Sequence, residues 1–164
     1  MKKLISILCF LSIVVAIEAQ QTLETATLRN MKNVIAPFST ITKKDSLILI
    51  CFWATSSDES MNELNAINAK IEEWKMSVKF RMMAVSVDEG KAANKVRPTL
   101  NMNGWTFEVF VDINGDLRKA LNANNLPQAM IIKGNKVLYQ QSGFEAGSEN
   151  YLLQKLQAIA IGMK

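Results

Sequence analysis

The sequence predicts an α/β domain: a mixed β-sheet with helices on both faces. Three observations carry that expectation. Leu47-Ile48-Leu49-Ile50-Cys51-Phe52-Trp53 is a continuous apolar run rich in strand formers, the pattern of a central strand buried on both faces, which usually has parallel neighbours. A segment from about Asp58 to Lys75 follows, in which Met61, Leu64, Ile67, Ile71 and Trp74 recur at helical spacing and make one apolar face. Strand-like and helical stretches then continue to alternate, as a layered α/β architecture requires.

The elements can be taken in chain order. Residues 1–19 have the features of a secretory signal. Lys2 and Lys3 form a basic start, Leu4 to Ala16 an apolar run, and Ile17-Glu18-Ala19 ends on a small residue suited to cleavage. The run is shorter than the ~20 residues a spanning helix needs, so cleavage after Ala19 is expected rather than a stable membrane span. An uncleaved N-terminal anchor is the other reading. Ile7 and Leu8 precede Cys9 where lipid attachment wants small residues, so a lipoprotein is rejected.

Residues 20–46 form a strand-like N-terminal extension, with weak signals at Ala26–Met31 and Val34–Ile41, and residues 47–164 form the main domain. In the helix after the central strand, Glu63, Lys70, Glu72 and Glu73 are expected off the apolar stripe. Val78, Phe80, Met82 and Ala84 alternate and run on through Val85 and Val87 to Asp88, a second strand. A helical or irregular piece covers Glu89 to about Thr99. Phe107 to Val111 is a third strand, and Asp112-Ile113-Asn114-Gly115 a turn signal. Leu117 to Ala123 reads as a short helix. Ala129–Ile132 and Lys136–Tyr139 flank Lys133-Gly134-Asn135 as an antiparallel hairpin. Ser148 can cap a final helix with Leu152, Leu153, Leu156, Ile159 and Ala160 on its apolar side.

Composition narrows the chemistry. Loss of residues 1–19 takes the 19 basic and 15 acidic side chains to 17 and 14, a net charge of +3. No basic run is long enough to suggest nucleic acid. The chain has two cysteines and no histidine. Without Cys9 only Cys51 remains, so no intramolecular disulfide forms and stability must come from the core. About 145 residues can bury enough apolar surface for that.

The order of elements and four short segments resemble the thioredoxin superfamily, in particular the exported TlpA/ResA type of thiol:disulfide oxidoreductase. The segments are Phe52-Trp53-Ala54-Thr55, Ala84-Val85-Ser86-Val87-Asp88, Phe107 to Gly115, and Asn125-Leu126-Pro127-Gln128-Ala129. The resemblance spans roughly Leu47 to Ile159 and implies a thioredoxin-like fold. It also implies a cis bond before Pro127, in a loop facing the start of the helix. The departures are chemical. The family's two active-site cysteines fall on Ser57 and Ser60, with Asp58 and Glu59 between them. Its tryptophan before the first cysteine falls on Ser56, and its threonine after the proline on Gln128.

Thiol–disulfide exchange needs a thiolate attacking a sulfur. A serine hydroxyl does not ionise at neutral pH and forms no mixed disulfide, so redox turnover at Ser57 and Ser60 is excluded by composition. Ser56 with Glu59 three residues on fits a capping box, the simplest role for the segment. A catalytic serine has no histidine to activate it, although a Ser–Lys pair stays open. Cys51 lies inside the apolar run and is expected to be buried and inert. A peroxiredoxin-type site would want a cysteine near the helix start, where Ser57 stands, so that reading fails as well. Nine methionines raise a copper hypothesis, but the cysteines and histidine of copper-delivery relatives are missing, and core packing accounts for Met61, Met82 and Met83.

These readings lead to an exported, periplasmic or secreted, redox-inactive protein with no metal and no cofactor. It is expected to bind a protein or extended peptide of the cell envelope through Trp53, Ser56, Ser57, Leu126, Pro127 and Gln128. The alternatives are a purely structural role for Pro127 and a part in envelope thiol–disulfide homeostasis.

Overall fold

The computed structural model describes residues 23–42, 47–134 and 136–162. The expected signal segment lies outside them, as do Cys9 and the Lys43-Lys44 pair. The elements are β1 (Thr27–Asn30), β2 (Ile35–Pro37), α1 (Phe38–Ile41), β3 (Leu47–Trp53), α2 (Asp58–Ser77) and β4 (Arg81–Ser86), then a 3-10 turn (Ala92–Lys95) running into α3 (Val96–Asn103). β5 (Glu108–Val111), α4 (Asp116–Ala120), β6 (Gln128–Lys133), β7 (Lys136–Ser142) and α5 (Glu149–Ala160) complete the chain. Seven strands make one sheet in the order β2-β1-β5-β4-β3-β6-β7. β3, β4 and β5 run parallel, and the outer strands join antiparallel. This is the thioredoxin-like α/β arrangement that the sequence implies. Among the described residues no helix is long and apolar enough to cross a membrane.

β3 is buried at all seven positions, between β4 and β6. Because side chains alternate across a strand, it feeds two cores. Leu47, Leu49, Cys51 and Trp53 meet Leu64, Ile67, Ile71 and Trp74 of α2 and Leu152 and Leu156 of α5. Ile48, Ile50 and Phe52 meet Phe38 of α1, Leu117 of α4 and Met130 and Ile132 of β6. The two edges of the sheet differ. β2 has three residues and ends on Pro37. β7 has seven, mostly exposed, with a register shift where its partner passes from Ile131 to Ile132.

Several local expectations change. Phe38–Ile41, expected as strand, is one helical turn. Pro37 cannot extend the ladder through its nitrogen, and the turn carries Phe38 into the second core at 1% exposure. Val78 and Phe80 precede β4, because the Val78 N–H still donates to the Trp74 carbonyl and closes α2 two residues beyond Lys75. α4 starts at Asp116 and stops at Ala120, short of Ala123. The buried Asp112 fixes that start by accepting from the N–H groups of Leu117 and Arg118 at 3.3 and 2.7 Å. Gly115, at φ +68°, lets the turn between them close. Ser148 precedes α5 but does not cap it: its Oγ accepts from Glu145 N instead.

Ile50→Ala removes a fully buried side chain from the second core and should cost about 2–5 kcal/mol of unfolding free energy. Ile35→Ala, at a position 58% exposed on β2, should cost within about 0.5 kcal/mol. Urea unfolding of both variants measures the contrast. Equal losses would contradict the burial of β3.

Candidate functional site

β3 delivers the chain to the carboxyl end of the sheet, where Ala54 to Ser57 turn into α2. The turn is held from β4. Thr55 donates through its backbone N–H and its hydroxyl to the two oxygens of Asp88, each at 2.9 Å. The Ser86 hydroxyl also donates to Asp88, at 2.8 Å, and accepts from the Asp88 N–H at 3.0 Å. Asp88 is buried, so these charge-assisted bonds replace the water it has lost.

The helix start is capped, one residue later than the Ser56/Glu59 capping box requires. Ser57 is the N-cap, and its Oγ accepts from the Ser60 N–H at 3.2 Å and from the Ser60 hydroxyl at 2.8 Å. Ser56 is exposed. Glu59 reaches away from the helix, and its Oε1 accepts from the Phe144 N–H at 2.7 Å. Asp58 and Glu59 remain in the first turn, where the helix dipole favours negative charge.

The Pro127 loop lies against this start through two consecutive residues. Gly143 donates to the Pro127 carbonyl at 2.9 Å, and Phe144 is the partner of Glu59. The Leu126–Pro127 bond is cis, as the resemblance implies. Among the described residues, no backbone group pairs with the N–H or carbonyl of Leu126. Ser56, Ser57 and Leu126 reach the surface. Ser60 and Pro127 are buried, and Gln128 is held in the sheet between Phe52 and Ser142. Trp53 is fully buried and does not line a surface groove. Its ring meets Trp105 edge-on at 4.9 Å between centroids, because the last position of β3 points into the α2 core.

A buried acid lies beneath the helix start, where sequence reasoning had not placed one. Glu63 is 1% exposed, not off the stripe. Ser60, Glu63, Ile67, Ile71 and Trp74 are spaced by three or four and share the buried face of α2. That spacing from Ile67 is the signal that could have found it. Both carboxyl oxygens lack a partner among the described residues, as does Trp53 Nε1. Burial, and secondly the charge of Glu59, push the Glu63 carboxyl from its ordinary 4.5 to about 8, so it is protonated at neutral pH. Cys51 is fully buried, and its thiol is raised well above the usual value by burial and then by Glu63. A neutral thiol without access to solvent neither attacks nor ligates. Among the described residues no group of three or more His, Cys, Asp or Glu could hold a metal ion.

The buried acid makes stability depend on pH. Above about pH 4.5 the unfolded chain releases the Glu63 proton while the folded chain keeps it up to about pH 8. Stability should therefore fall as pH rises through that window, by about 1.4 kcal/mol per unit from this group alone. Glu63→Gln should be more stable than the parent at pH 8, with the difference fading towards pH 4. Urea midpoints at pH 4, 6 and 8 measure it. A pH-independent difference would mean that Glu63 is already ionised in the fold.

Comparison with known proteins agrees with the fold. The sequence matches the AhpC/TSA family over residues 19–141. No curated protein matches the chain. Among solved structures, an uncharacterized thioredoxin-like protein from Porphyromonas gingivalis is 32% identical, with a TM-score of 0.74 and coverage of 85% of this chain and 92% of that one. A putative thiol:disulfide interchange protein DsbE from Chlorobium tepidum is 23% identical, with a TM-score of 0.69 over 83% and 92% of the two chains. The bacterioferritin comigratory protein of Xanthomonas campestris is 16% identical, with a TM-score of 0.70 over 85% and 95%. The last two are similar in fold alone. The family match does not single out the TlpA/ResA branch that the sequence motifs resemble; the chain belongs to the AhpC/TSA family.

Proposed function

We propose that this chain is an exported, redox-inactive thioredoxin-like protein that binds an extended polypeptide of the cell envelope. The observation that carries the reading is the hydroxyl pair at the helix start. Ser57 and Ser60 occupy the place where a thiol–disulfide enzyme of this fold needs thiols, and their oxygens are engaged with each other at 2.8 Å. Cys51, the one cysteine among the described residues, is buried. The binding half of the reading rests on the Pro127 loop. Leu126 has backbone groups to offer, and an extended peptide can pair with such an edge without covalent chemistry. Export rests on the sequence of residues 1–19. The similarity to a putative thiol:disulfide interchange protein supports a place near thiol–disulfide chemistry. It also favours a second reading, a part in envelope thiol–disulfide homeostasis through Cys51.

Insulin reduction separates the two readings. The mature chain should be inactive, and Ser57→Cys/Ser60→Cys should restore turnover. The two side-chain oxygens are close enough that cysteines there need only a small adjustment to reach the ~2.05 Å of a disulfide. Pro127→Ala in the double variant should then lower the rate by tenfold or more if the loop seats the polypeptide. A double variant unaffected by that change would sink the binding reading.

The thiol of Cys51 gives an independent check. In the native protein it should react with an aromatic disulfide reagent at least a hundredfold more slowly than in urea, since only local opening exposes it. Prompt labelling, or insulin reduction by the parent, would favour the second reading.

A further inference from the structure

A concavity lies at the same end of the sheet, beyond β5. It is a cavity of about 280 Å³ between the β1–β2 turn and the start of α3, with Arg29 and Arg97 among its walls. Arg29 is held by the ladder opposite Val111, the last residue of β5. Arg97 stands in the first turn of α3. No acidic side chain lines the cavity. Neither guanidinium has an ion-pair or hydrogen-bond partner among the described residues. Two cations sharing one recess repel each other, and an anion between them removes that cost.

The remaining walls supply neutral donors and an apolar side. Asn30, Asn33 and Asn94 contribute amides. The Asn30 Oδ1 is already committed to the N–H groups of Lys32 and Val34, at 2.9 and 3.0 Å, which leaves its Nδ2 as the free end of the amide. Those bonds, with Asn30 N on the Val34 carbonyl at 2.9 Å, fix the turn, so the wall is built before any ligand arrives. Met31, Ala93 and Pro98 provide apolar contact. The volume is just below the ~300–1,000 Å³ of drug-sized ligand pockets, which suits a small molecule. The position, outside the carboxyl ends of parallel strands, is where open α/β sheets commonly take ligands.

We propose that this cavity binds a small organic carboxylate, its oxygens on the guanidinium groups of Arg29 and Arg97 and its carbon chain against the apolar wall. Guanidinium forks match carboxylate geometry, and the apolar side distinguishes an organic acid from an inorganic anion. The site is separate from the Ser57 and Leu126 surface. β1 stands three strands from β3, about 14 Å at ordinary strand spacing. Either assignment can therefore fail without the other.

The test is NMR titration of the full chain with sodium valerate, valeramide and inorganic phosphate. Valerate should shift the amide resonances of residues 29–33 and 93–98 saturably. The neutral valeramide and phosphate should each bind at least tenfold more weakly. Arg97→Gln, an exposed change on α3, should weaken valerate at least tenfold with the remaining spectrum unchanged. Arg29→Gln should do the same. No saturable shift, equal binding of valeramide, phosphate as tight as valerate, or wild-type affinity in both variants would each overturn the assignment.

Discussion

The burial of β3 on both faces is the constraint on which the rest of the molecule depends. Seven consecutive residues without solvent leave the strand no solvated face, so it needs a ladder on each side and helices above and below. β4 and β6 supply the ladders. α2 and α5 cover the odd-numbered side chains, and α1 and α4 the even-numbered ones. The site inherits its rigidity from this strand. Trp53 and Cys51 are fixed because they are core, and the chain emerges at Thr55 already aimed at the start of α2.

What emerges there is a helix start that carries two hydroxyls and no thiol. A helix N-terminus and free N–H groups stabilise a thiolate, but a serine hydroxyl is too weak an acid to profit. Ser57 uses its oxygen to cap the helix and Ser60 closes the pair. The other polar groups divide by role. Asp88 holds the turn that brings the chain to the helix. Glu59 ties the helix to the segment just beyond β7, whose Gly143 bonds the Pro127 carbonyl. Glu63 lies protonated in the core, with neither a thiol at the helix start nor a hydrogen-bond partner of its own among the described residues.

The sheet and its helices were legible because their signals are long and repeated. The apolar run at β3, the helical spacing through α2 and the hairpin of β6 and β7 each rest on many residues. The features that were misread hang on one. Phe38 follows strand formers, yet its burial below the sheet outweighs local propensity. Ser56 and Ser57 are equivalent as cap residues in sequence, and only the path out of β3 selects Ser57. Ser148 has the right neighbours for a cap but turns back to Glu145. Glu63 is an ionisable residue at a position whose spacing says core, and burial keeps it neutral there. Within the candidate site, the hydroxyl positions and the loop could be read from motifs. The burial of Trp53 was legible too, because it ends a run whose pattern covers both faces, and placing it on a binding surface went against that pattern.

The unequal edges of the sheet have a consequence for self-association. β2 is three residues long and closes on Pro37, so it offers almost no ladder to copy. β7 offers seven residues along one open border, interrupted only by a register shift. Added strands would therefore accumulate on one side alone. Two molecules meeting border to border would each cover the other's single long template, and the paired sheet would expose only the short proline-ended strands. Such growth ends at a pair instead of propagating into a fibre.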